Sequence, residues 1–221
     1  METRIIKPLN IYLYVVDAQR DFMDSDGSLY IPGAEEIKPN IIKIYNVMKE
    51  NNKKIIASCD AHFEESKEFI ENGGDFPSHC LGGTKGAELI DGLSDIYEYG
   101  KMNIFYKDDI GLWDNEIAME FFDESETTDV FVVVGVATDF CVKEAVYLLL
   151  KEGNYVILIT DAIVGVDEEN SKEFLKKCNE AKDVLLVTTE NFIETVKFVE
   201  SVALSCANNA VFDMSDVVVK D

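Results

Sequence analysis

The sequence predicts an α/β fold, a three-layer α/β/α domain built on a mainly parallel sheet of about six strands. Apolar runs rich in Val and Ile recur along the chain, helical patterns separate them, and most runs are apolar throughout rather than at alternate positions. Continuously apolar strands are typical of a sheet that is buried on both faces. Strands that alternate with helices favour parallel pairing.

Each expected element follows from a local pattern. The strands are short apolar runs that end at polar or turn residues: Ile11–Val16, Lys54–Cys59, Asn103–Lys107, Val130–Gly135, Val156–Thr160 and Val184–Val187. The helices are periodic segments between or after them: Glu35–Asn51, Gly86–Leu93, Asp114–Phe122, Asp139–Glu152, Ser171–Ala181 and Asn191–Leu204. Right-handed crossovers then place the loops that follow the strands at one edge of the sheet, where such folds bind ligands.

Two long connections are expected to build a pocket at that edge. They are Arg20–Ala34 and His62–Lys85, both punctuated by Gly and Pro, and both leave the carboxyl end of a strand. No repeat or linker divides the chain, so residues 1–221 are interpreted as one domain. The tail from about residue 205 is expected to be an extra edge strand or a partner contact.

Composition and charge limit the classes of partner. Hydrophobic residues make up 47% of the 221 residues, charged residues make up 29%, and the formal net charge is −23. This is the composition of a globular protein. A strongly negative field repels phosphate backbones and anionic lipids, so we expect no nucleic acid and no membrane partner. A small neutral or cationic molecule suits this charge better.

The chain is expected to be cytosolic, with reduced thiols. Its first ten residues have no signal pattern, and the apolar run Ile11–Val16 is too short for a signal core or a membrane span. The five cysteines are odd in number and irregularly spaced. Such spacing argues against a disulfide framework.

Both histidines of the chain lie near one aspartate. Asp60 and His62 follow an apolar strand, and His79 lies in the loop that leaves it. If the chain stays extended, Asp60 and His62 point to the same side. A carboxylate and two imidazoles predict a divalent metal site, with zinc or non-haem iron as candidates. The structural alternative is a pair of polar residues that only satisfy their neighbours.

Cys141 is the candidate nucleophile. A buried strand ends at Gly135, and Thr138 is a plausible N-cap that would place Cys141 in the first turn of a helix. There, unpaired backbone N–H groups and the helix dipole favour a thiolate and could stabilise an oxyanion. A small buried cysteine on a helix is the equally common alternative.

Two charged residues at strand ends are candidate partners of this thiol. Asp17 ends the first strand and could carry a proton, although a capping role is common for Asp at such a position. Lys107 ends the third strand and would lower the pKa of a neighbouring thiol. Its structural alternative is a surface lysine whose stem packs on the protein.

Three aromatic residues near these loops could line a flat pocket. They are Phe22, Phe76 and Trp113, although aromatic side chains more often fill a core. Cys80, next to His79, is a rival ligand or nucleophile. It ranks below Cys141 because its loop offers no helix N-terminus.

Five segments between about Ile11 and about Val187 carry a family resemblance: VVDAQRDF at 15–22, CDAHF at 59–63, FPSHCLGGTKGAEL at 76–89, GVATDFCV at 135–142 and TDAIVG at 160–165. Taken together, these segments resemble the isochorismatase-like cysteine hydrolases, and within them the nicotinamidases. The resemblance implies a Rossmann-like topology and an amidohydrolase that converts nicotinamide or a similar small aromatic amide to the acid and ammonia. It also favours a homo-oligomer.

The resemblance assigns roles to the candidate residues. It implies a catalytic triad of Asp17, Lys107 and Cys141, in which the thiol attacks the amide carbonyl and forms a thioester. It further implies a cis peptide bond between Val136 and Ala137, with an oxyanion hole formed by the backbone N–H groups of Ala137 and Cys141.

The same resemblance implies a zinc site with Asp60, His62 and His79 as ligands. In nicotinamidases the metal contacts the pyridine nitrogen of the substrate, so it anchors and polarises the ring.

Two departures from the family pattern concern the substrate pocket. Phe76 stands where nicotinamidases usually have Trp, and residues 108–114 (DDIGLWD) lack the Tyr-Ser-Gly-Phe-like segment that often follows the lysine. A second hypothesis therefore keeps the fold and changes the substrate to another amide or a carbamoyl compound. A non-haem iron enzyme and a catalytically silent binding module are the two remaining alternatives.

Overall fold

Six parallel strands form one sheet at the centre of the molecule. The computed structural model describes residues 10–97, 104–123 and 129–192. Its strands are β1 (Ile11–Val16), β2 (Lys54–Asp60), β3 (Ile104–Lys107), β4 (Val130–Val136), β5 (Tyr155–Val164) and β6 (Val184–Val187). They lie in the order β3-β2-β1-β4-β5-β6, and every neighbouring pair is parallel. The expected parallel α/β architecture is confirmed.

Helices cover both faces of this sheet. They are α1 (Arg20–Met23), α2 (Ala34–Glu50), α3 (Glu116–Asp123), α4 (Cys141–Lys151) and α5 (Glu168–Glu180), with short 3₁₀ turns at Ile70–Asn72 and Ser94–Tyr97. The buried side chains of α2 pack on one face, and those of α3, α4 and α5 pack on the other. None of the helices in the described ranges is long and apolar enough to cross a membrane.

Alternate residues of β1 enter two separate cores. Leu13 and Val15 join the core beneath α2, whereas Tyr12 and Tyr14 join the core beneath the other helices. All six residues of β1 are buried. This burial on both faces is the physical reason for the continuous apolar run in the sequence.

One expected helix is wrong. Residues 86–93 form no helix; Leu89 instead makes an antiparallel bridge with Gln19, and the N–H of Ile90 donates to the Ala18 carbonyl at 2.9 Å. Leu89 and Ile90 are buried because this connection crosses the core beside β1. The apolar spacing that predicted a helix therefore reflects burial of an irregular segment.

Other differences lie at element boundaries. The helix expected from Asp139 begins at Cys141, and its N-cap is Phe140 rather than Thr138. The last expected helix begins at residue 189, two residues before the expected Asn191. It is described to residue 192, and its remainder lies outside the described residues, as does the tail from about 205.

The sheet order creates a crevice between β1 and β4. Connections from β1 lead towards β2 on one side, and those from β4 lead towards β5 on the other. Ligands of open α/β sheets bind where the strand order reverses in this way, at the carboxyl ends of the strands. Asp17 follows β1 at this point, and Cys141 lies in the segment that follows β4.

Gly135 permits the close approach of β4 to β1 at the crevice. Its φ is +122°, and a Cβ atom there would overlap the carbonyl oxygen of Val16. We expect Gly135→Ala to lower the free energy of unfolding by about 3 kcal/mol or more, because strain and a backbone clash add together. Chemical denaturation measures the effect. Gly82→Ala is the control, since its Cβ would meet only the His62 carbonyl, at 3.7 Å; an equal loss in both variants would contradict the prediction.

Candidate active site

Asp17 is held rigidly at the end of β1. Its backbone N–H donates to the Ser58 carbonyl at 3.1 Å, and its carboxylate accepts a hydrogen bond from the Ser58 hydroxyl at 2.6 Å. Its φ is +46°, a left-handed conformation that Asp adopts more readily than most residues. The side chain is fully buried. The carboxylate therefore has one orientation, towards β2 and β3.

Lys107 brings the charged groups of the crevice together from the end of β3. Its Nζ lies 2.9 Å from Asp17 Oδ2 and 3.6 Å from Cys141 Sγ, and it also contacts Asp60 Oδ1 and the carbonyl of Asp109. In the parallel register Asp60 pairs with Lys107, which explains their contact. The sequence-predicted acid, amine and thiol therefore meet at one edge of the sheet.

Cys141 is the first residue of α4, and its side chain is partly exposed in the cleft. The peptide bond between Val136 and Ala137 is cis. The N–H groups of Phe140 and Val142 donate to the Ala137 carbonyl at 3.0 and 3.1 Å, which closes a tight turn before the helix. This turn presents the start of α4 to the crevice.

Burial and charge set the protonation states of the three groups. Burial raises the pKa of the Cys141 thiol well above its usual range, Lys107 opposes this rise, and Asp17 adds to it. Burial also raises the pKa of Asp17, with Lys107 opposing. Burial lowers the pKa of Lys107, but the Asp17 and Asp60 carboxylates outweigh it, and the net shift is upward. The thiol is therefore neutral at rest, with the Lys107 ammonium 3.6 Å from its sulfur.

Asp60, His62 and His79 form a cluster with the chemistry of a metal site. Their candidate ligand atoms lie within 4.8 Å of one another, and all three residues are buried. Asp60 Oδ2 is 3.6 Å from Nε2 of each histidine. Within the described residues, His62 Nε2 is buried with no hydrogen-bond partner. A buried nitrogen left in this state beside a carboxylate and a second imidazole fits a divalent cation.

The other ring nitrogen of each histidine has an acceptor. Asp108 Oδ1 contacts His62 Nδ1, and the Pro77 carbonyl lies 2.8 Å from His79 Nδ1. Since both partners accept hydrogen bonds, each Nδ1 carries a proton, and in the neutral ring each Nε2 presents a lone pair. Metal-binding histidines in proteins are typically oriented in this way, by an acceptor at the ring nitrogen that does not bind the metal.

Gln19 ties β1 to β2 beneath these residues. Its side-chain nitrogen donates to the carbonyls of Asp60 and Ala87 at 2.8 and 2.9 Å, and its side-chain oxygen accepts the Asp60 N–H at 2.7 Å. It is fully buried. Gln19 therefore fixes Asp60 relative to the segment that carries Asp17.

A small cleft opens onto both clusters. Its volume is about 140 Å³, and the two long loops line it together with Asp60, His79, Ala137 and Cys141. An apolar cavity of about 150 Å³ accommodates benzene, so this cleft has the size of a single ring. Phe22 and Phe76 are among its walls, and their rings lie 5.4 and 6.2 Å from that of His79.

Trp113 does not line this cleft, which corrects the sequence expectation. Its indole N–H donates to Glu144 at 2.9 Å, and the Lys151 ammonium lies 4.8 Å from its ring centre. The ring thus packs on the outer side of α4. The short turn before α3 directs it there, and residue spacing alone carries no information on that direction.

Sequence reasoning missed several residues of the site, among them the four that follow. Ile110 and Phe140 line the cleft, Glu68 lines it with Oε2 3.7 Å from His62 Nε2, and Asp108 contacts His62. Glu68 lies in an acidic stretch that looks solvated, and no local pattern distinguishes it. Asp108 does carry a signal, since it directly follows Lys107 where the family pattern is lost.

Comparisons with known proteins agree with this geometry. The chain is 24% identical over 185 residues to nicotinamidase/pyrazinamidase of Mycobacterium tuberculosis, covering 80% of this chain and 98% of that protein. Pyrazinamidase of Pyrococcus horikoshii, solved in complex with zinc, superposes with a TM-score of 0.70 at 27% identity, over 81% of this chain and 99% of that one. PnC1 from L. infantum, solved in complex with nicotinate, gives 0.70 at 25% identity, over 84% and 96%.

The family model described as the isochorismatase domain matches residues 12–190. This range begins in β1, ends just after β6 and includes every candidate site residue. The chain belongs to the isochorismatase domain family.

Proposed function

We propose that this protein is a cysteine amidohydrolase that converts nicotinamide, or a similar small aromatic amide, to the acid and ammonia. One observation carries the proposal: Lys107 Nζ lies within 3.6 Å of both Asp17 Oδ2 and Cys141 Sγ, and Cys141 lines a ring-sized cleft. Relatives and structural neighbours named as nicotinamidases or pyrazinamidases support the reaction class.

The first half of the proposed reaction forms a thioester. Asp17 accepts the thiol proton, and Cys141 Sγ attacks the carbonyl carbon of the amide. The backbone N–H groups of Ala137 and Cys141 hold the resulting oxyanion. Asp17 then returns the proton to the amide nitrogen as the C–N bond breaks, which releases ammonia. Lys107 stays charged throughout and favours the ionised form of Asp17 before the first transfer and after the second.

The second half releases the acid. Asp17 accepts a proton from a water molecule that attacks the thioester carbonyl, and the same oxyanion hole holds the charge. When the C–S bond breaks, the proton returns to Sγ and the free thiol is restored. The raised pKa of the Cys141 thiol favours this return, because it makes the neutral thiol the resting form.

Asp60, His62 and His79 are the residues proposed to hold the metal, and zinc is the proposed ion. Two imidazole nitrogens and one carboxylate oxygen suit zinc with a position left open, and a relative at 27% identity was solved with zinc. When bound, the metal would attract and polarise a ring nitrogen of the substrate. Glu68 and Phe76 are proposed to shape the cleft around that ring.

The substrate has a second candidate. Ile110 belongs to the segment that departs from the family pattern, and it lines the cleft. A different wall favours a different shape of amide, so another amide or a carbamoyl compound is the alternative. A cytosolic location is also part of the proposal, and the four free cysteines in the described ranges suit it. Homo-oligomerisation stays a prediction.

Ammonia release by purified protein of measured metal content tests this function. We expect turnover of nicotinamide and pyrazinamide, and slower turnover of benzamide, because benzamide lacks the ring nitrogen that a metal would contact. An N-carbamoyl amino acid completes the panel. If only the N-carbamoyl amino acid is turned over, the protein is an amidohydrolase as proposed, but its substrate is a carbamoyl compound and not nicotinamide. Absence of ammonia from every compound, at full metal occupancy, would refute the proposed function.

A further inference from the structure

Asp108 connects the two clusters of the site. It directly follows Lys107 at the end of β3, and its Oδ1 contacts Nδ1 of His62, a residue 46 positions earlier in the chain. The geometry points to Asp108 as a positioning residue that fixes the tautomer and the ring orientation of the metal ligand His62. This inference rests on the metal site of the proposed function and adds a residue that the motifs of the sequence do not identify.

The contact leaves one tautomer of His62. A carboxylate only accepts hydrogen bonds, so Nδ1 must carry the proton that lies between it and Asp108. The lone pair is then on Nε2, which faces Asp60 Oδ2 at 3.6 Å. Without Asp108, a neutral imidazole could place its proton on either nitrogen, and the Nε2–H form cannot bind a cation.

A buried serine holds the Asp108 carboxylate in this orientation. The Ser66 hydroxyl donates to Asp108 Oδ1 at 2.7 Å, and the Phe63 N–H donates to Ser66 Oγ at 3.0 Å. Ser66 is 5% exposed, whereas the Asp108 side chain is 53% exposed. A half-exposed carboxylate would otherwise sample several rotamers. The hydrogen bonds from Phe63 to Ser66 and from Ser66 to Asp108 therefore keep Asp108 Oδ1 against the imidazole ring of His62.

The two histidines are supported in different ways. His79 Nδ1 lies 2.8 Å from a backbone carbonyl, that of Pro77, which no side-chain substitution removes. His62 Nδ1 depends instead on the side chain of Asp108. Because that side chain is half-exposed, its truncation leaves little cavity. Asp108 is therefore the position at which the metal site can be loosened without removing a ligand.

Zinc titration of metal-free protein against a chromophoric chelator tests the role directly. We expect Asp108→Ala to weaken zinc binding by about 10–100-fold, the range typical when a metal ligand loses its hydrogen-bond partner. Asp108→Asn keeps an acceptor oxygen but loses the charge, so we expect a smaller loss, of less than about tenfold. Asp109→Ala is the matched control, since it removes the same charge one residue further on. Asp109 Oδ1 accepts a hydrogen bond from the Ile110 N–H and contacts no histidine in the described ranges, so we expect an effect on zinc binding within about threefold.

The tautomer itself gives a readout that a merely structural role would not move. Nitrogen-15 NMR of the metal-free wild type at a pH where His62 is neutral is expected to show the Nδ1–H form, and Asp108→Ala is expected to show a mixture. Zinc binding within threefold of wild type in Asp108→Ala, an equal loss in Asp109→Ala, or an unchanged tautomer would each overturn the inference. If the wild type itself binds no zinc, the proposed metal site fails and this inference with it; unimpaired binding in Asp108→Ala alone refutes only the role of Asp108.

Discussion

Replacement of Cys141 by alanine is expected to abolish ammonia release, with kcat lower by a factor on the order of 10⁴ or more. The variant lacks the atom that would form the thioester, and no other thiol in the described ranges shares its surroundings. Cys59, Cys80 and Cys178 are buried, whereas Cys141 is partly exposed in the cleft beside Lys107. The measurement is steady-state ammonia release, together with mass spectrometry of the trapped acyl-enzyme.

Cys178→Ala is the matched control for this variant. Cys178 packs in the core beneath α5 and does not line the cleft. Its loss is expected to lower stability modestly and to leave the rate of ammonia release near that of the wild type. Ammonia release that persists in Cys141→Ala would remove the thiol from the mechanism. Failure of a thiol reagent to label Cys141 in the wild type would favour a silent binding module.

Lys107→Met is expected to have the largest effect on stability. It leaves the Asp17 and Asp60 carboxylates buried without the ammonium that contacts both. Removing one partner of a buried ion pair typically costs about 3–5 kcal/mol. Ammonia release is expected to fall as well, because Asp17 would bind a proton more tightly and would no longer serve as a base at neutral pH. Urea denaturation of metal-free protein at several pH values measures the stability.

The stability difference between wild type and Lys107→Met is expected to grow between about pH 4 and pH 7. In the wild type the pKa of Asp17 is raised, and without Lys107 it would rise further. A raised carboxyl pKa stabilises the folded protein below the unfolded pKa of about 3.9, and this stabilisation is lost as the pH rises through the folded pKa. The variant therefore loses more stability than the wild type over this pH range. In the wild type, burial raises the pKa of Asp60, but Lys107 and the neighbouring hydrogen bonds lower it by more, so the net shift is downward. A lowered carboxyl pKa stabilises the folded protein above the unfolded pKa, and Lys107→Met lacks this stabilisation.

Lys172→Met provides the control for loss of a positive charge. Lys172 lies on α5 with its side chain 63% exposed, next to Glu168. Solvent screens such pairs, so its removal is expected to leave stability near the wild-type value at every pH. A Lys107→Met protein with wild-type stability at pH 7, or a stability difference that shrinks towards pH 7, would contradict the proposed charge arrangement.

Much of the sheet could be predicted because strand formation here has a local signature. The bounds of β1 and β6 in the structure are those expected from the sequence. Each is a short apolar run that ends at polar or turn residues, and burial of the sheet on both faces makes the run continuous. The prediction of a helix at residues 86–93 was wrong for the converse reason. Apolar side chains of this irregular segment face the core, and their spacing along the sequence is the same as that of a buried helix face.

Individual site residues could be named from the sequence, whereas their contacts could not. Asp17 and Lys107 each stand at the end of an apolar strand, and parallel strands end at one edge. Glu68 stands in an acidic stretch that looks solvated, and the signal at Asp108 is only its place directly after Lys107. Their approach to His62 depends on how two loops fold over the sheet edge.

The sequence by itself determined the positions of the strands along the chain, the candidate thiol, acid and amine, and the family resemblance, because these depend on residue identity and local hydrophobic pattern. The tertiary structure alone decided that Lys107 lies opposite Asp60, that Trp113 lies away from the cleft, and that Asp108 supports His62. Register and loop packing arise from burial and hydrogen bonds between distant segments. Such interactions leave no periodic trace along the chain.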